Sequence, residues 1–201
     1  MTSTGARRAL GAAIVAIAVA TGCFNRSPKP LFYALAPASG AAAGAPIASL
    51  PDLGLVVGPL EFPRYLDRPE IVRRDGANRL VVADAHRWGG SLRSDVLRVV
   101  GDDLGRLLGT SRVVVYPAEA RFAARYRVVI DLRQFEAVAG DKVTLRAIWT
   151  IAGADGRAVY VEESNIEQPI ASAAMSDVVA AQSAALGGMS RAIAEHVASL
   201  R

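Results

Sequence analysis

Lys142-Val-Thr-Leu-Arg-Ala-Ile-Trp-Thr-Ile151 sets Val143, Leu145, Ala147, Trp149 and Ile151 against Lys142, Thr144, Arg146 and Thr150. Successive side chains of a strand point to opposite faces, so this alternation describes a strand with one buried face. The same pattern comes before it, where Tyr126, Val128, Ile130 and Leu132 alternate with Arg127, Asp131 and Arg133. A turn at Gly140-Asp141 joins the two, and Ala154-Asp155-Gly156 turns the chain into a third strand over Val159 to Glu163. Three such strands in succession make an antiparallel meander.

Working outward, the run from Leu53 to Leu60, closed by Pro59 and Pro63, reads as a buried strand leading into an irregular turn. Glu70 to Arg74 and Asn78 to Ala83 flank Asp75-Gly76 and predict a hairpin. Between Ser91 and Leu108 the apolar positions Leu92, Val96, Val99, Val100, Leu104, Leu107 and Leu108 recur at three and four, the spacing of an amphipathic helix. Ser91 stands ready as its N-cap and Gly109 as its stop. Arg112 to Tyr116 is a further strand, and Ser176 to Leu200 a second helix, with Gly187-Gly188 expected as a weak point or bend. The order predicts an α+β fold, with a mixed, mostly antiparallel sheet and two amphipathic helices packed on one face.

The beginning of the chain has a different character. Arg7 and Arg8 precede the uncharged run from Ala9 to Ala20, whose twelve residues make roughly 18 Å of helix against a hydrocarbon core of about 30 Å. That is a secretory leader, too short for a permanent span. Ala20-Thr21-Gly22-Cys23 follows and resembles the lipobox of bacterial lipoproteins, with cleavage expected between Gly22 and Cys23 and acylation of the cysteine. Cys23 is the only cysteine, so no disulfide forms within the chain. Residues 1–22 are therefore the leader, residues 23–50 a lipidated N-terminus and flexible tether rich in Pro, Ala, Gly and Ser, and residues 51–201 a single domain. Leu31 to Leu35 interrupts the tether and is expected to add an edge strand, with Ala36 to Ser49 as loop. Loss of Arg7 and Arg8 lowers the formal charge from +4 by two, and no basic run reaches four residues, so nucleic acid is not implied.

The inventory for catalysis is thin. His86 and His196 are the only histidines, no metal motif is visible, and no cofactor is expected. Asp84 and His86 would share a face of an extended segment and could form an acid–base pair; that would be the centre of a lipid-modified hydrolase. His196 lies near the end of the second helix with no partner indicated by the sequence. Ser91 follows two glycines without forming a nucleophile elbow, and no glycine-rich segment ends in Gly-Lys-Ser or Gly-Lys-Thr. The most distinctive local pattern is Pro63-Arg-Tyr-Leu-Asp-Arg-Pro69, an aromatic, an acid and bases between two prolines directly before a strand. As an ordered turn it would have Asp67 bonding nearby backbone amides. As a contact surface it would present Tyr65, Leu66, Asp67 and Arg68 to a partner.

Leu55-Val-Val-Gly-Pro-Leu60, Tyr65-Leu-Asp-Arg-Pro-Glu-Ile-Val72 and Arg87-Trp88 before a helix resemble the Pqi-type (PqiC-like) auxiliary lipoproteins, and Phe32-Tyr33-Ala34-Leu35 is similar to that family's aromatic-rich opening. Gly89 and Gly90 stand where its members usually carry an acidic residue and a proline. The resemblance implies a non-enzymatic accessory subunit of a transport system built around mammalian-cell-entry domains, which carries lipids between two membranes. Its partners would be the periplasmic mammalian-cell-entry protein and the associated inner-membrane permease, with a cyclic homo-oligomer as a symmetric end-piece. In such lipoproteins an aspartate after the cysteine favours the inner membrane, so Phe24 points to the outer membrane, periplasmic face. A structural lipoprotein binding an assembly machine or cell-wall glycan is the competing expectation.

Overall fold

Ser91 and Gly109 bracket the first helix as their chemistry requires. The Ser91 side chain accepts a hydrogen bond from the Ser94 amide at 3.4 Å, and Gly109 takes the left-handed conformation, φ 62°, donating back to Gly105. This α1, Leu92–Leu108, buries Val96, Val99, Val100, Leu104 and Leu108 completely. The computed structural model describes residues 29–39, 44–138 and 141–200. The leader, the cleavage site at Gly22 and the acylation candidate Cys23 lie outside the described residues, as does Gly140 of the expected turn.

The strands are β1 Leu31–Tyr33, β2 Leu55–Glu61, β3 Glu70–Asp75, β4 Arg79–Trp88, β5 Val113–Val115, β6 Tyr126–Val138, β7 Lys142–Gly153 and β8 Ala158–Pro169. With α2, Met175–Ser199, they form an α+β domain: one eight-stranded mixed sheet with both helices packed against it. The three longest ladders, β3 with β4, β6 with β7 and β7 with β8, are antiparallel. β6 is the spine. It runs beside β7 along its length, while its other side meets β2 and then β3, both parallel to it.

Two irregularities reset side-chain direction. Arg133 is an extra residue in β6 opposite Ala147 and Arg146, so the buried set passes from Val128, Ile130 and Leu132 to Phe135 and Ala137. The bulge leaves the Phe135 carbonyl to Gln182 of α2, whose side-chain amide donates to it at 3.1 Å. In β4 the partner of Glu70 is Arg87 and that of Ile71 is Ala83, so residues 84–86 bow out of the ladder.

The expected edge strand is present, since β1 pairs parallel with His86 to Trp88. The segment after it does not behave as a spacer. Leu35 is buried, the amide of Ala38 donates to Asp103 of α1 at 3.1 Å, Ala36 donates to Ser183 of α2, and Ile47 and Leu50 donate to the last carbonyls of α1. Burial of Leu35, partial burial of Ile47 and Leu50, and backbone hydrogen bonds to two helices supply what composition alone concealed. From Leu31 onward the described part of the tether is a strap laid on the domain.

Gly187-Gly188 corrects another expectation. α2 runs through the pair as a continuous helix. A Cβ at Gly187 would stand 2.9 Å from the Cβ of Ala38, and one at Gly188 3.2 Å from Ile166. The glycines serve close approach of the strap and of β8 rather than bending. Gly187→Val is expected to lift the strap while leaving the sheet intact; limited proteolysis should then cut within residues 34–50, and unchanged resistance would count against that packing role.

Candidate docking surface

Pro63 and Pro69 bound the distinctive turn, which forms a single 3-10 turn over Arg64–Leu66. The Leu66 amide donates to the Pro63 carbonyl at 3.0 Å, Asp67 to Arg64 at 3.2 Å, and the Trp88 amide to the Pro69 carbonyl at 2.7 Å, so the turn is tied to the end of β4. Leu66, expected as a contact residue, is instead a core residue with 3 % exposure. Its apolar side chain gains more from the core than from solvent, and it cannot meet a partner without unfolding the turn.

Tyr65 is also directed inward. Its hydroxyl donates to Glu136 Oε2 at 2.9 Å, and Glu136 is fully buried. Arg74 donates through Nε to Glu136 Oε1 at 2.7 Å, and the Phe135 amide donates to Oε2 at 3.1 Å. Burial, then the neighbouring Glu136 carboxylate, push the Tyr65 phenol up to about 12 from an ordinary 10.0, with Arg74 opposing. The proton is therefore held more tightly in the folded chain. The stabilisation is complete below pH 10 and drains away as pH climbs from 10 through 12. Absorbance titration of phenolate should show a late step that Tyr65→Phe removes; the substitution is needed for assignment because the bond to Glu162 also raises Tyr160.

What the anchored turn leaves outward is charged. Asp67 does not bond the neighbouring amides; its carboxylate faces Arg93 of α1 at 3.3 Å. Arg93 also donates to the Leu60 carbonyl and lies with its guanidinium 5.1 Å from the Phe62 ring centroid. Arg68 donates to Glu70 at 3.0 Å and holds its carboxyl below the usual range, and Arg87 reaches the other oxygen of Glu70 at 3.7 Å. The Asp67, Arg68, Arg87 and Arg93 side chains keep between 37 and 52 % of their surface. Of the four candidate docking residues, Asp67 and Arg68 are therefore accessible, and Arg87 and Arg93 join them. Nothing near the turn signals Arg93, which comes from a different element; Glu136 could have been found as a lone carboxylate between Phe135 and Ala137.

Asp84 and His86 both lie within β4, but His86 Nδ1 shares its hydrogen bond with the Tyr33 hydroxyl at 2.9 Å rather than with Asp84. His196 has partners that its local sequence did not show. It stacks on Tyr160 at 4.0 Å between centroids and approaches Glu162 at 2.8 Å, both on β8. These contacts pin the last turn of α2 to the sheet.

Comparison with known proteins adds a family. The family model described as the ABC-type transport auxiliary lipoprotein component matches residues 33–194, from the last residue of β1 to the closing turns of α2. Among curated proteins none matches. The crystal structure of an uncharacterised protein is 16 % identical, covering 85 % of this chain and 99 % of that one with a TM-score of 0.68. A Xanthomonas campestris protein of the family DUF330 is 20 % identical, covering 83 % of this chain and 94 % of that one with a TM-score of 0.65. At these identities the two structures share the fold.

Proposed function

The chain belongs to the ABC-type transport auxiliary lipoprotein family, and from that membership we propose that it is the outer-membrane-anchored accessory subunit of a mammalian-cell-entry lipid transport system. The observation that carries the reading is the match over residues 33–194, which spans the strap, the sheet and both helices. Acyl chains on Cys23 hold the protein on the periplasmic face. The rigid turn of residues 63–69 offers Asp67 and Arg68, with Arg87 and Arg93, to the periplasmic mammalian-cell-entry protein, whose conduit starts at an inner-membrane permease. Copies arranged about an axis would give that conduit a symmetric end-piece. The role is docking rather than catalysis, a reading supported by the bond that commits His86 to Tyr33 rather than to Asp84.

The test is mass spectrometry of proteins recovered with tagged protein from crosslinked envelopes. A mammalian-cell-entry protein is expected. Recovery of only cell-wall or assembly components would favour the structural lipoprotein instead. Arg68→Glu reverses an exposed charge and leaves Glu70 to Arg87 alone, and should reduce recovery several-fold without changing thermal stability. Rim charges act mainly on association, so the loss should deepen as salt is lowered. Undiminished recovery would remove the turn from the interface.

A further inference from the structure

We propose that the β1 edge is a membrane contact, seated on the phosphate headgroup layer of the bilayer that carries the anchor. The inference rests on acylation of Cys23 and goes on from there to geometry. Because the strap is packed from Leu31 onward, the length of chain back to Cys23 is short. Lys29 is the first described residue, and the six residue steps back to Cys23 span roughly 22 Å even when fully extended. The acylated residue therefore holds β1, rather than a distant domain, near the bilayer.

The chemistry of that edge suits the position. Phe32, 64 % exposed, is the most exposed large apolar side chain among the described residues, and Leu31 beside it is 55 % exposed. A short edge strand that keeps a phenylalanine and a leucine in water has left apolar area for a second phase. Cations surround it: Lys29 is exposed, Arg87 is the register partner of Phe32, and Arg68 lies one strand further on beside Glu70. Counting Arg93 as well, four cations stand against Glu70, Asp67 and the exposed Asp84, an excess of one positive charge that favours phosphate, and aromatic rings with long basic side chains are the groups that settle at the boundary between headgroups and acyl chains. The far edge differs. β8 also exposes an apolar residue, Val161 at 56 %, but its own charges are Glu162, Glu163 and Glu167, against which β7 sets only Arg146 and Lys142. The β1 edge has an excess of positive charge and the β8 edge an excess of one carboxylate, so the β1 edge is the better suited to an anionic surface.

Full-length acylated protein in vesicles of phosphatidylethanolamine and phosphatidylglycerol tests this, with bromine on the lipid acyl chains as a contact quencher. Phe32→Trp supplies the probe and Val161→Trp the control; the native Trp88 and Trp149, 4 % and 0 % exposed, form a background subtracted with the parent protein. The Trp at position 32 is expected to shift to the blue and lose most of its emission on brominated vesicles, while the one at position 161 keeps its own. With the acyl mass on Cys23 confirmed, equal quenching at the two positions, or none at either, overturns the membrane contact and leaves the edge to a protein partner. Absence of the acyl mass overturns the anchor itself and, with it, the distance argument.

Discussion

Glu136→Ala is expected to destabilise the domain by about 3 kcal/mol, the lower end for breaking a buried charge pair. Glu136 is 0 % exposed and its two oxygens take Arg74, the Tyr65 hydroxyl and the Phe135 amide. Removing the carboxylate strands all three. Arg74 can recover part of the loss because a quarter of its side chain reaches water, which is why the lower end applies. The midpoint of thermal unfolding should fall by roughly 6–12 °C for a domain of this size. Glu136→Gln keeps an acceptor oxygen and the volume, and should cost about 1–2 kcal/mol. A loss under about 1 kcal/mol for the alanine variant would mean the pair contributes little beyond a hydrophobic replacement. The same variant separates support from contact: partner recovery should fall because the turn at residues 63–69 loosens, whereas Arg68→Glu lowers recovery with stability unchanged.

Cys23→Ala is expected to move the protein from the membrane fraction to the soluble fraction after alkaline washing. A buried methylene contributes about 0.8 kcal/mol, one chain binds marginally and two anchor stably, so the three chains implied by the lipoprotein resemblance make release all-or-none. The wild-type chain should begin at the acylated cysteine, and the variant should carry no acyl mass. Persistence of the variant in washed membranes would show that something other than acyl chains holds it, and would sink the anchor.

How much of this was legible in the sequence depends on the range of the interaction. Ser91 and Gly109 mark α1 because caps act within a few residues. Asp75-Gly76 marks the β3–β4 hairpin and Ala154-Asp155-Gly156 the β7–β8 turn for the same reason, and the alternation in β6 and β7 gave the buried face up to Leu132. Beyond Arg133 the bulge shifts the phase, so Glu136 could not be assigned its site from periodicity. The parallel pairings of β2 with β5 and β6, and of β3 with β6, have no local signature. In the candidate surface, Tyr65 to Arg68 stood out by composition, yet the direction of each side chain came from residues far along the chain: Glu136 draws Tyr65 in, the core takes Leu66, and Arg93 meets Asp67. The strap escaped notice because alanine and proline read as spacer until two helices stand against them.

The strap also fixes an order of events. Ala36 bonds to Ser183, 147 residues later, and Arg191 bonds to Ala45, 146 residues earlier. In a chain that crosses a membrane from its N-terminus, the strap arrives first and the α2 half of its receptor arrives last. Contacts of such sequence separation close late, since the entropy of a long loop is lost before the contact returns anything. α1 offers the strap part of its seat, at Asp103 and at the carbonyls of Leu107 and Leu108, but the seat is complete only once α2 has emerged and packed, so the final folding step of a translocating chain would be the closing of its leading end onto the second helix.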